Sequence, residues 1–485
     1  MPAPPSVTQT VTDGALGIVA QIAALTFALI GQASLPTANT VYTLRSLQQI
    51  RTTLGFGPLA EQAAQVLLAC GGRATLLCVK PTATAGSLVA GAHTGSGLAT
   101  IVDNASAPND DYDLVIKILT AGAVATATYA YSLDGGRTYS AELATAASVA
   151  ITDTGIALTM SSGPGNFVAG DTYAFEAKGP TFTVGNLNTA LDALDTDGRD
   201  FSLLHVIGIP ADSATCNSVA AAVSTKAAAL ATKHRYIRAV IDPPEGVTAS
   251  ALATALTTTD GRVMAPFDFC PLTSAITART EKRPASWPIF ARACKVPLSV
   301  ALHATDSTES GPLDSSRVAR LRSLQGETPS YAYHDEFTAT TSADNGRLAA
   351  LRTWPGEEGV YINRGRTLAL LTSDFTELHR GRVMDEACRV AYRFVFKIVG
   401  KRLLVDRTTG KILESEAKAL EEAGTARLAQ ALVSDHASNV EFLVDRDENI
   451  LSTEKFKYRV RILPRAHGNY LEGDFGFENP ALQAA

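Results

Sequence analysis

The sequence predicts a multidomain α/β (α+β) chain with three parts: a layered α/β core, an inserted all-β module, and a C-terminal domain of two helices and three strands. Three observations carry this. Apolar strand-like runs alternate with helix-like segments over 24–82 and again from 186, which implies parallel crossovers and a layered sheet. Between them, from about 105 to 182, short strands separated by Gly and Asp turns mark a small sandwich or barrel-like module. From about 376 the text changes again, to two long amphipathic helices and period-two strands. The 485 residues are too many for one ordinary core. They divide into an N-terminal arm (1–22), a first part of the core (23–85), the module (86–182), the remaining core (183–372) and the C-terminal domain with a terminal arm strand (373–485).

Each element has a local cause. "TFALIGQAS" is a buried strand. "SLQQIRTTLG" is helical and stops at Gly55. In "GPLAEQAAQVLLACGG", Pro58 takes the first helical position and a Gly pair closes the helix. "RATLLCVKP" is the next buried strand. Residues 83–104 are rich in Ala, Gly, Ser and Thr and read as a linker. "YDLVIKILT", "TATYAYSLDGGRTYSAEL", "GIALTMS" and "DTYAFEAKGP" supply the module. The core resumes with helix "NLNTALDAL", strand "FSLLHVIGI", helix "CNSVAAAVSTKAAALATKH", strand "YIRAVIDPP", helix "SALATALTT" and a strand near "GRVMAPF". A loop-rich stretch is expected over 270–350. A helix over about 376–398 carries Val383, Ala387, Ala391, Phe394 and Ile398 on one face. A second, about 413–433, carries Leu420, Gly424, Leu428 and Leu432. Strands are expected near 439–444, 455–463 and 469–477.

Composition narrows the function classes. Hydrophobic content of 46% and charged content of 19% are those of a globular chain, and a net charge of −6 leaves no footprint of nucleic-acid binding. The six cysteines, at 70, 78, 216, 270, 294 and 388, form no C-x-x-C pair and read as reduced and structural. Residues 15–35 are uncharged and long enough to span a bilayer. Gln21 and Gln32 interrupt them, however, and the first basic residue is Arg45, so a buried strand behind a sticky N-terminal arm is expected rather than membrane insertion.

No catalytic, cofactor or metal constellation emerges. "LGFGPLA" follows no strand, and Pro58 removes an amide that a pyrophosphate would need. "LDTDGRDFSLL" lacks two oxygen ligands of a calcium loop, at Ala193 and Leu204. His334 and His379 have acidic neighbours but no H-x-x-x-H spacing and no nucleophile elbow. "SLDGGRTYS" places Ser132, Asp134, Gly136 and Thr138 in an S-x-D-x-G-x-T pattern, which resembles the Asp-box of sialidases and related β-propellers. With one copy, a hairpin turn is the expected role, and a glycan-active or glycan-binding protein is the enzyme-class alternative.

The ordered set of segments resembles the contractile tail sheath proteins of bacteriophages and related injection machines. "FALIGQASLP" followed by "LGFGPLAEQAAQVLLACGGRATLLCVKP" is similar to the family's opening strand, helix, Gly-rich turn and strand. "LLHVIGIP" with "RYIRAVIDPPEG", then "EKRPASWPIFARACKVPLSVALHAT", "WPGEEGVYINRGRTLALL", "NVEFLVDRDEN" and "KYRVRILP" follow in family order. The resemblance spans most of the chain outside the module. It implies a sheath-like fold and a structural, non-enzymatic subunit that polymerises helically, in stacked hexameric rings, around an inner tail tube protein. Contraction would drive that tube through a cell envelope. It also implies baseplate and tail terminator partners, no cofactor, a place in the virion tail, and assembly in the host bacterial cytoplasm. A static tail tube or baseplate component is the structural alternative.

The chain runs into its C-terminus with one strand that has a basic outer face (Lys457, Arg459, Arg461) and another with an acidic one. The latter sets Glu472 and Asp474 between Leu471, Phe475 and Phe477. An unpaired edge is an aggregation liability in a monomer and a joint in a polymer. Residues 1–17 hold too few large apolar side chains for a core, yet Val7, Val11, Ile18 and Val19 suit an added strand. Both ends are therefore expected at subunit interfaces, on a neighbour's sheet near 439–463.

Overall fold

The computed structural model describes residues 25–313 and 343–469, apart from residues 355 and 434. In chain order the core opens with β1 (Thr26–Ile30), β2 (Val41–Leu44), α1 (Leu47–Leu54), α2 (Pro58–Ala69) and β3 (Thr75–Val79). Then come β4 (Ser87–Thr94), β5 (Thr100–Asp103), β6 (Tyr112–Thr120), β7 (Thr128–Ser132), β8 (Leu143–Ala144), β9 (Ser148–Ile151), β10 (Ile156–Ser161) and β11 (Thr172–Lys178). The core resumes with α3 (Val184–Asp197), β12 (Leu203–Val206), α4 (Ser213–Thr232), β13 (Arg238–Ile241), α5 (Ala249–Ala255) and β14 (Val263–Met264). β15 (Phe269–Thr273), β16 (Thr280–Pro284), α6 (Ser286–Lys295), β17 (Leu351–Arg352) and β18 (Tyr361–Ile362) follow. α7 (Leu378–Val395), α8 (Glu414–Leu432), β19 (Ala437–Val444) and β20 (Tyr458–Pro464) close the described chain.

The central sheet has the order β14-β13-β12-β1-β3-β2, parallel throughout except for the antiparallel edge strand β2. Its strands are apolar runs because helices cover both faces. Phe27 and Leu29 of β1 point into a core shared with α1, α2 and α6, while Ala28 and Ile30 point into one shared with α3, α4 and α5. Gly55, at φ 72°, ends α1, and Pro58 begins α2. The segments between the two halves of the sheet form a five-stranded sheet, β4-β11-β6-β7-β8, and a three-stranded one, β5-β10-β9. These enclose a hydrophobic cluster of their own, built on Leu114, Ile116, Leu158, Phe167 and Tyr173.

Several expectations change. β2 lies where no strand was expected. It is four residues long and half-buried, too short to show a period. The 83–104 linker is instead largely strand, β4 and β5. Its small residues have packing reasons: buried Asp171 accepts the Ser96 and Gly97 amides at 3.2 and 2.8 Å, and a side chain at Gly95 or Gly97 would overlap it. Within 270–350, the described residues form the β15–β16 hairpin and α6 rather than loop alone. Of the three C-terminal strands two are described, and the third, near 469–477, lies outside the described residues but for Asn469, which is not in a strand.

Candidate assembly surface on the C-terminal domain

α7 joins the core to the C-terminal domain and is buried on most of its surface, apart from a face with Arg380, Met384 and Tyr392. On its core side, Asp385 receives the Arg238 guanidinium of β13 at 2.8 and 3.2 Å, both groups buried. Gly381 is required there, since any Cβ would overlap that guanidinium. Arg382 reaches the Val296 carbonyl at 3.4 Å, and burial lowers its pKa to about 10, still charged at neutral pH. On the other side, Ala387, Val390 and Ala391 meet Leu420, Leu428 and Leu432 of α8 and Val440 and Phe442 of β19. Gly424 of α8 lies against the Phe442 ring, where an added Cβ would come within 2.6 Å. Phe442 in turn meets Phe394 edge-on at 5.2 Å and stacks on Tyr458 at 5.1 Å.

Among the described residues this domain's sheet has two strands, β19 and β20, so one edge of β20 has no described partner strand. β20 is largely exposed, with Leu463 60% and Tyr458 42% accessible. Lys457, at its leading end, pairs with Glu448, while Arg461 lies 4.0 Å from its cross-strand partner Glu441. Arg459 stands exposed opposite Leu443. The basic face expected from the sequence is thus partly matched by acidic groups of the same chain. Beside β20, α7 exposes Met384 and Tyr392, and Phe396 and Val399 follow it, the latter 76% accessible. Sequence reading named the Val383, Ala387 and Ala391 face of this helix, which is buried, and did not name the exposed Met384 and Tyr392. Val7, Val11, Ile18, Val19, Leu471, Glu472, Asp474, Phe475 and Phe477 lie outside the described residues.

Ser132, Asp134, Gly136 and Thr138 converge on one turn after β7. Asp134 Oδ1 accepts the Arg137 and Thr138 amides at 2.9 and 3.0 Å and the Ser132 hydroxyl at 2.6 Å. Thr138 Oγ1 donates to Asp134 Oδ2 at 2.7 Å, and Gly136, at φ 92°, donates its amide to Ser132 Oγ. Every polar group of the motif is spent on holding the turn.

Two buried polar clusters hold the core together. His205 Nε2 lies 3.0 Å from Asp242, and Gln62 donates to His205 Nδ1 at 3.1 Å. Ser286 donates to Asp242 rather than to the imidazole, and all four side chains are inaccessible, so the cluster is scaffold. In the second, Arg283 meets Glu61 of α2 at 2.8 Å, Glu281 at 2.5 Å and Asp110 of the inserted segment at 3.0 Å, and stacks on Trp287. The three carboxylates are the one group among the described residues spaced for a metal ion, and the guanidinium fills the space between them. Burial raises the pKa of Glu61 and Glu281, the latter to about 7. Sequence reading found neither cluster, because apart from Glu281 and Trp287, which are near Arg283 in the chain, the partners are 37 to 222 residues apart. No described helix is long and apolar enough to cross a membrane.

The whole architecture has known counterparts. A chain of the anti-feeding prophage (AFP) baseplate superposes with a TM-score of 0.52 at 11% identity, covering 99% of this chain and 100% of that one. A chain of the PVC sheath complex in its contracted state, from an extracellular contractile injection system, gives 0.50 at 11% identity, with 99% and 98% covered. The sheath tail protein from Desulfitobacterium hafniense gives 0.45 at 12%, with 95% and 100% covered. The fold is therefore that of contractile sheath proteins. By sequence, residues 4–266 match the DUF2586 N-terminal domain and 374–482 the DUF2586 C-terminal domain, and the chain belongs to the DUF2586 family. No curated protein matches it.

Proposed function

We propose that the chain is the structural subunit of a contractile tail sheath. It polymerises helically around an inner tube and contracts to drive that tube through a target cell envelope. The observation that carries this is the coverage of 99% of this chain and 98% of a chain of the PVC sheath complex. The C-terminal sheet, two-stranded among the described residues, supports it, since an edge without a described partner strand is a site for strand addition, and heterologous contacts that do not close generate helical tubes. In this reading residues 1–22 and 470–485 leave their own globule and lie on a neighbour's C-terminal sheet. The partners are the inner tube, baseplate and terminator proteins, the location is the tail, and the chain catalyses nothing. A baseplate component is the second reading, because one similar chain comes from a baseplate structure.

Electron microscopy of the purified protein decides between them: long tubes for a sheath, single rings for a baseplate part. Deleting 1–20, or separately 469–485, should yield folded protein that no longer forms tubes. Sedimentation of both truncations beside the full chain checks this, and tubes of normal length from both would remove the arm-exchange mechanism. The 86–182 segment is proposed as a separate domain. Replacing it by a short linker should leave protein that still polymerises.

A further inference from the structure

We propose that a cluster of four histidines is a pH-sensitive latch that clips the root of the C-terminal segment to the core at neutral pH and releases it on acidification. His303, His379, His436 and His467 are half of the chain's eight histidines and come from four separate segments. They meet around Ser299 and Glu377. The stem after β20 is held by imidazoles: His467 Nε2 reaches the Ser299 carbonyl at 3.1 Å, His303 Nε2 reaches Asn469 Oδ1 at 2.9 Å, and the His467 and His379 rings lie 4.5 Å apart. On the far side of Ser299, His436 Nδ1 lies 3.2 Å from its hydroxyl.

The charges around the cluster set the direction of the switch. Arg380 and Arg382 of α7 and Arg364 of the preceding loop contribute positive charge, and Arg465 lies on the stem itself. Against them stand buried Glu377, already 3.3 Å from Arg364, and Asp344, which is shared between Arg364 and Arg366. Asp435 and Glu386 lie toward His436. Glu377 also sits 3.4 Å from His379 and 4.0 Å from His303. A proton added to His379 therefore enters a site rich in cations. His379 shows this most: burial, then His467, His303, Arg380 and Arg382, lower its pKa to about 3, and its buried Nε2 has no hydrogen-bond partner. With the stem undocked, that nitrogen faces water and regains an ordinary histidine affinity for protons. Docking thus requires neutral His379. It is favoured above about pH 6.5 and weakens as pH falls toward 3, by about tenfold per unit for one proton. The stem is the part that moves, because it is exposed, whereas α7 is fixed by the Arg238–Asp385 pair.

The test uses the full-length chain with a nitroxide on Ala466→Cys, an exposed stem position, in a Cys388→Ala background, since the other cysteines are buried. Between pH 6.5 and 4.5 the ratio of mobile to immobile label should rise by about tenfold per unit. His379→Gln should hold the stem immobile over the same range. A flat profile in the parent, or an unchanged profile in His379→Gln, would overturn the latch. Should His379→Gln free the stem at every pH, His467→Gln decides, because it keeps a donor for the Ser299 carbonyl. Release that still follows pH supports His379 as the titrating group, and a flat profile refutes the latch. Spectra recorded on dilute, unassembled subunits keep the outcome independent of whether tubes form.

Discussion

The central sheet and the C-terminal sheet are built by opposite rules. In the first, six strands are covered on both faces and the middle strand β1 has four fully buried residues, Phe27 to Ile30. In the second, among the described residues, α8 covers β19 while β20 remains largely exposed with an open edge. A two-stranded ribbon is marginal by itself. This one is held by the Phe394–Phe442–Tyr458 stack and by α7, whose core side is tied down by Arg238. The contrast sets a sheet closed on both faces, which carries stability, against one whose edge has no described partner strand, on which the proposed assembly rests. Substitutions should therefore separate into those that unfold the subunit and those that leave it folded but change its contacts.

The largest effect should come from the tie between the two regions. Asp385→Ala leaves Arg238 charged and buried, and should cost about 3–5 kcal/mol in urea unfolding. A loss under about 1 kcal/mol would mean that the two sheets are not joined through this pair. Leu29→Ala in the central sheet should cost about 2–5 kcal/mol while leaving the surface of β20 unchanged. Assembly per folded molecule, measured by sedimentation, should be normal.

A pH-dependent effect of intermediate size is expected at the Arg283 cluster. Glu281 has a folded-state pKa of about 7, above its ordinary value, so the stability it contributes is present below about pH 4.5 and is lost as pH rises through 7. Glu281→Gln should therefore stabilise the protein by about 1–3 kcal/mol at pH 8 and change little at pH 4.5. A variant equally stabilised at both values would show that charge is not the cause. The smallest effect on folding is expected at Leu463, 60% exposed on β20. Leu463→Ala should stay within about 0.5 kcal/mol of the parent in unfolding yet weaken tube formation. If it unfolds the subunit instead, the distinction between the sheets fails.

The central sheet was legible because a doubly covered parallel strand needs a continuous apolar run, and "TFALI", "TLLCV", "LLHV" and "RAVI" supply it, with only Arg238 and His205 breaking the pattern. The two C-terminal helices were legible from their period. β2 and β4 were not, because one is four residues long and the other is made of small, mostly exposed residues whose partners lie on β3 and β11. Of the assembly surface, the alternation of Lys457, Arg459 and Arg461 could be read, but the acidic partners Glu448 and Glu441 could not.

By itself, then, the amino-acid sequence determined the periodic elements, their order, and the self-contained Asp134 turn, because each depends on neighbours within a few residues along the chain. The tertiary structure alone decided that Met384 and Tyr392 of α7 stay exposed, which edge of β20 has no partner strand among the described residues, and how Arg283 gathers three carboxylates. It also brought four scattered histidines to one place. Those features depend on pairs of groups tens to hundreds of residues apart, and such distances leave no period in a sequence.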